Sequence, residues 1–198
     1  MTTPTLDLAT ARALADHLCA QRRVVRLDLD ALPHVLELAG DLDPTGTLRG
    51  LLRPEVLAGA IEAVPLAGLS LGPVILVRPG LDPTAYACVT VHELTHSAQV
   101  RAAGLLRYAR LYVTQGEFRA AQETGAYLAE CEVRNYLTGV VPSPEAAVRI
   151  ESGYLLPAEQ VTFGRLLGAQ SLAALRDGLY TQPLACDARA WLRARGWP

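Results

Sequence analysis

A chain of 198 residues, 51% hydrophobic and 19% charged, is long enough to bury a real core, and its formal net charge is only −2. That balance excludes a broad electrostatic interface for nucleic acid or an anionic membrane. All 18 basic residues are arginine, which excludes lysine-nucleophile and Schiff-base chemistry as well.

The first predicted element is an amphipathic helix over residues 7–20, with Leu8, Ala11, Leu14, Ala15 and Leu18 at helical spacing. The period then changes to two. Val25, Leu27 and Leu29 alternate with Arg26, Asp28 and Asp30, which predicts a half-buried strand within Arg22–Asp30. Asp30 is placed to cap a short helix that runs through Ala39, ends at Gly40 and carries His34. Residues 41–50 read as a loop, and Pro54 opens a helix to about Val64. Pro73 to Arg78 is a β-branched run bounded by prolines and glycines, hence a strand. Pro73 at its start suits an edge or terminal position, and an edge strand can pair with an extended peptide; an ordinary core strand is the alternative.

Asp82 and Pro83 mark the start of the next helix, and Gly104 its stop. It carries His92-Glu93-Leu94-Thr95-His96. Residues four apart share a helix face, so His92 and His96 can offer two imidazole nitrogens to one metal ion. Glu93 lies at the edge of that face, where a general base beside an activated water belongs. A chance match in such a chain is on the order of half a percent, so this triplet outweighs a core helix with two satisfied histidines. Val91, Leu94, Ala98 and Ala102 form the apolar stripe expected to face the core.

A helix over 105–114 bears Tyr108 and Tyr112, and Gly116 separates it from a long helix over about Glu117 to Leu137. On the long helix Glu123, Tyr127, Glu130 and Arg134 share one stripe. Phe118, Ala121, Gly125, Leu128 and Cys131 form a second, apolar one. Two histidines leave a zinc site one protein ligand short, and no histidine follows His96. The third ligand is therefore expected to be a carboxylate, Glu123 first, with Glu130 and Glu117 as alternatives. Tyr127 or Glu130 would orient a histidine. Ser143-Pro144-Glu145 starts a further helical part, with segments at 157–168, 171–178 and 184–195. Trp191 and Trp197 read as packing residues there.

The four cysteines, Cys19, Cys88, Cys131 and Cys186, are widely spaced and read as reduced thiols; Cys88, one turn before His92, is the one placed to approach a metal. Asp7 and Asp16 interrupt the N-terminus, which is no signal peptide. The longest uncharged stretch, Ala63–Val77, is too short to span a bilayer. A cytoplasmic protein is expected.

The run from His92 to His96 with Gln99 after it, followed by Glu123-x-x-Ala126 on a later helix, resembles the zincin metallopeptidases. It is similar in particular to small bacterial and phage zincins with a glutamate third ligand and to the ImmA/IrrE-type peptidases. The resemblance covers residues 73–138. Tyr127 stands where the latter usually carry asparagine, and the metzincin pattern is absent. The resemblance implies a zincin-like α+β domain, mainly helical, with a small sheet of two to four strands. One domain spans 1–198, with the metal-site core at about 73–138 and a helical part at 143–198. Zinc would be held by His92, His96 and Glu123, with Glu93 as general base for peptide hydrolysis. Tyr154, Tyr180, Tyr112 and His34 are candidates for stabilising the oxyanion. Expected partners are a peptide or protein substrate and a regulatory protein, with no nucleic acid and no membrane. The alternative function is a non-catalytic zincin-fold protein that binds a partner, its metal structural or vestigial.

Overall fold

The computed structural model describes residues 5–35, 67–141 and 169–197. The expected loop at 41–50, the Pro54 helix, the Ser143 start signal, the 157–168 segment and Tyr154 lie outside them.

Helix α1 (Leu8–Arg22) begins where the Asp7 carboxylate accepts a hydrogen bond from the Thr10 amide at 2.6 Å. It ends at Arg23, the one non-glycine residue with positive φ (53°) among the described residues, and Val24 N–H returns to the Cys19 carbonyl at 3.0 Å. Ala11, Leu14, Ala15 and Leu18 are buried as their spacing predicts, while Leu8 is exposed.

Among the described residues three strands follow: β1 (Val25–Asp28), β2 (Gly68–Ser70) and β3 (Val74–Val77). They form one mixed sheet in the order β1-β3-β2. β1 runs parallel to β3 with Val25 opposite Val74, and β2 runs antiparallel to it with Leu69 opposite Leu76. Two expectations are corrected here. The first is the face formed by Val25, Leu27 and Leu29: Val25 is 56% exposed and the buried residue is Val24, because the pairing begins one residue after the turn out of α1. Asp28 precedes a 3-10 turn at Leu29–Ala31 without a side-chain cap, and the turn leads into a helical stretch at 32–35, the described part of the expected short helix. The second is the edge alternative for the 73–78 strand, which gives way to the core alternative. β3 is the centre of the sheet, and Ile75, Leu76 and Val77 are fully buried. Pro73 is compatible with that position because it precedes the ladder and contributes only its carbonyl, which accepts from Val25 N–H at 2.9 Å.

Helix α2 (Pro83–Ala103) starts on Asp82, which accepts from the Ala85 amide at 3.0 Å, and stops at Gly104 (φ 81°). Most of its residues from Tyr86 to Ser97 are buried, so it is a central helix rather than a one-sided one. Ala98 and Ala102, expected on the core stripe, are exposed, because the helix leaves the core there and keeps only Val100 inside. The Ser97 hydroxyl donates to the Gly72 carbonyl and ties the β2–β3 turn to α2.

Helix α3 (Leu105–Thr114) turns back, and α4 (Gly116–Thr138) runs along α2 until Gly139 (φ 71°) closes it. The buried face of α4 is Ala120, Glu123, Ala126, Ala129, Val133 and Leu137. The expected apolar stripe of Phe118, Ala121, Gly125, Leu128 and Cys131 is half-buried apart from Cys131. Alanine, not large apolar side chains, lets α4 come close to α2, and interaxial distance follows the side chains at the contact. Helix α5 (Pro183–Arg193) and α1 complete the core, where Leu14, Leu18, Val91, Leu94, Val133 and Trp191 belong to one cluster. A helical stretch at 169–176 packs Leu172 and Leu175 on Cys131. The architecture is α+β and mainly helical, with the expected small sheet. Among the described residues no helix is long and apolar enough to cross a membrane.

Candidate metal centre

Helix α2 presents His92 and His96 one turn apart, and α4 presents Glu123 directly across from them. His92 Nε2 and His96 Nε2 are 3.1 Å apart. Glu123 Oε1 lies 3.2 Å from His96 Nε2, and Glu123 Oε2 lies 3.7 Å from His92 Nε2. A tetrahedral ligand set at zinc–nitrogen distances of ~2.0–2.1 Å has edges of roughly 3.3 Å, so these separations are those of a ligand cage. All three residues are buried, and Glu123 Oε2 finds no hydrogen-bond partner among the described residues. A buried carboxylate oxygen without a hydrogen bond, facing two imidazoles, fits a cation.

The histidines are held from behind. His96 Nδ1 is 2.9 Å from Gln99 Oε1 and 3.2 Å from the Tyr108 hydroxyl. His92 Nδ1 is 3.4 Å from Glu130 Oε2, within ion-pair range but off the hydrogen-bond direction. Glu130 is in turn fixed by Arg134 Nη2 at 3.1 Å. The edge of the Tyr127 ring stands against His92, centroids 4.4 Å apart. Tyr112 donates its hydroxyl to Glu123 Oε1, and its ring stacks on Tyr108.

The two carboxylates nearest the histidines are driven in opposite directions. Burial raises the Glu93 carboxyl above the usual range, and the imidazoles of His92 and His96 only partly offset it. Burial acts the same way on Glu123, but the facing His96 and His92 more than reverse it and hold Glu123 well below the usual range. Burial works against a charge on His92, yet Glu123 and Glu130 outweigh it and raise that imidazole to about 10. Carboxylates whose environments separate their proton affinities are suited to different roles.

No protein-family model matches the chain, and neither a curated protein nor a solved structure is significantly similar to it.

Of the residues singled out in the sequence, His92, His96 and Glu123 come together as one group. Glu93 is buried beside them on α2, under Gly68 of β2. Glu130 faces the other nitrogen of His92 at ion-pair distance, and Glu117 is exposed at the first turn of α4. Cys88 stays in the core as a packed thiol outside the group, pushed well above its ordinary range by burial. Tyr112 is the oxyanion candidate that reaches the centre. Tyr180 instead donates to Asn135 Oδ1 at 2.6 Å, and His34 is exposed. Gln99 and Gly68 have roles here that sequence reading did not assign. Gln99 is three residues beyond His96 and so shares its helix face, which was a usable signal. Gly68 gave none.

Proposed function

We propose that this protein is a zinc-dependent peptidase that hydrolyses a peptide bond with Glu93 as general base. The observation that carries the reading is the convergence of His92, His96 and Glu123 on one point beside a carboxylate that is not part of the cage. A zinc ion held by those three residues would supply a Lewis acid that acidifies water and polarises a carbonyl. Glu93 takes a proton from the attacking water and returns it to the leaving amine, a task suited to a carboxyl whose proton affinity is raised. Gln99 and Glu130 hold the two imidazoles in place. The Tyr112 hydroxyl, beside Glu123, is the group in position to donate to a developing oxyanion.

The substrate would be an extended peptide. With Leu69 paired to Leu76, Leu71 N–H bonded to Val74 O and Ala67 O bonded to Arg78 N–H, the main-chain groups of Gly68 and Ser70 point away from β3. Among the described residues no strand pairs with that edge, which lies over Glu93 and would offer a ladder to an incoming strand. Four free cysteines suit a reducing compartment, the cytoplasm.

A second reading is a non-catalytic protein whose metal is structural or which docks a partner. It is favoured by the low exposure of the group, 6% for His92, 6% for Glu93, 8% for His96 and 4% for Glu123. Glu93→Gln separates the two. The peptidase reading expects this variant to keep zinc at the wild-type stoichiometry and lose cleavage of a mixed peptide library. A wild-type protein that binds zinc and cleaves nothing, or an E93Q variant that cleaves as well as wild type, overturns it.

A further inference from the structure

Gln99 links α2 to α4. Its Nε2 donates to the main-chain carbonyl of Gln122 at 2.9 Å. A carbonyl oxygen only accepts, so this bond fixes which end of the amide carries nitrogen. The other end, Oε1, is then turned to His96 Nδ1 at 2.9 Å and also receives the Tyr108 hydroxyl at 3.2 Å. An amide oxygen has no proton to give, so the 2.9 Å contact requires the proton on Nδ1 of His96.

We propose that Gln99, polarised by the Gln122 carbonyl and given room by Gly125, is the positioning residue that locks His96 in its Nδ1–H tautomer and turns a bare Nε2 toward His92 and Glu123. A neutral imidazole carries one N–H, so a proton on Nδ1 leaves a lone pair on Nε2. Nε2 is the atom that stands 3.1 Å from His92 Nε2 and 3.2 Å from Glu123 Oε1. Were the tautomer reversed, an N–H would fill the space between those groups and block the nitrogen from a cation.

Gly125 supports this assignment from the opposite helix. A Cβ there would stand 3.2 Å from Gln99 Nε2, closer than an ordinary contact. Glycine in mid-helix is unfavourable relative to alanine, and no turn or positive φ calls for it at 125. The space it leaves is occupied by the amide.

The value of the lock for metal binding rests on the reading of the group as a cation site, but the tautomer itself does not. Zinc dissociation constants are to be measured by chelator competition for the wild type, Q99M, Q99E and G125A. Long-range nitrogen–proton correlations of His96 are to be recorded on metal-free wild type at the alkaline end of its titration. Q99M keeps the length of the side chain without its acceptor and is expected to weaken zinc by ~10–100-fold. Q99E restores an acceptor facing Nδ1 when its second oxygen is protonated and donates to the Gln122 carbonyl, and should then bind more tightly than Q99M. G125A should melt no lower than wild type yet bind zinc less well, because the new methyl displaces the amide. Q99M that binds zinc as wild type does, or Q99E no better than Q99M, overturns the proposal. If the wild type takes up no zinc, the cation reading fails on its own. The spectrum then decides the tautomer: protonated Nδ1 upholds the lock and protonated Nε2 ends it.

Discussion

Gly68 on β2 lies so close to Glu93 on α2 that a Cβ at 68 would stand 2.7 Å from Glu93 Cγ and 2.8 Å from its Oε1. The same atom would be 2.8 Å from Val89 Cγ1, so no small adjustment of one side chain relieves it. Gly68→Ala must therefore either lift β2 off the helix or push the Glu93 carboxyl aside. Overpacking of this kind destabilises by about 1–3 kcal/mol. The larger effect is expected on chemistry: a base misplaced by about 1 Å loses on the order of 100-fold in turnover. Zinc content should not change, since Glu93 is not in the cage. Peptide turnover and zinc stoichiometry measured on the same G68A preparation test this, and undiminished turnover would contradict the placement of Glu93 as base.

In metal-free protein the cluster should make stability depend on pH in both directions. His92 is raised from 6.5 to about 10, so its contribution is fully present below pH 6.5 and is lost as the pH rises toward 10. Glu93, also raised, acts with the same sign. Glu123 is depressed from 4.5, so its contribution is present above that value and is lost as the pH falls below it. Stability without metal should thus peak at roughly pH 5–6.5. Zinc must displace the His92 proton, so its apparent affinity should increase with pH until about 10. Urea unfolding with chelator present, followed across pH 4–10, should show the maximum. A curve that climbs steadily from pH 6 to 9 would mean that His92 holds no such proton.

The parts of this centre that sequence revealed are those carried by a single helix. The His92–His96 turn, the Asp82 cap and the stop at Gly104 depend on local spacing, and they are where the spacing puts them. Glu123 required one further step, the deficit of a ligand, and the structure brings it opposite the histidines. What was not legible depends on how elements approach each other. β2 is three residues long with two glycine or serine positions, too short and too small to show a period. Edge and core placements of β3 both fit its sequence, because Pro73 suits the start of a strand at either place and the flanking strands come from elsewhere in the chain. The buried face of α4 mixes Ala120, Ala126 and Ala129 with Glu123, Val133 and Leu137, so hydrophobicity alone does not mark it. The spacing of Gln99 from His96 signals their shared helix face, but not the main-chain carbonyl of Gln122 on another helix that its amide also reaches.

The join between α4 and α5 gives a prediction independent of any metal. Glu132 is buried, and its Oε1 accepts from Thr181 N–H at 2.8 Å and from the Thr181 hydroxyl at 3.0 Å. Its Oε2 accepts from Gln182 N–H at 3.0 Å. Gln182 precedes α5 without capping it through its own side chain, so a carboxylate from α4 serves as the cap and faces the positive end of the α5 dipole. Glu132→Ala leaves these donors without their acceptor and should lower stability by roughly 1–3 kcal/mol. Glu132→Gln retains one acceptor oxygen and should fall between it and wild type. Neither change should alter zinc affinity, because Glu132 faces α5 rather than the His92–His96 face of α2. Chemical denaturation and zinc competition on both variants supply the check. Equal stability of E132A and wild type would remove the cap, and a loss of zinc binding would show that the α4–α5 join is coupled to the centre.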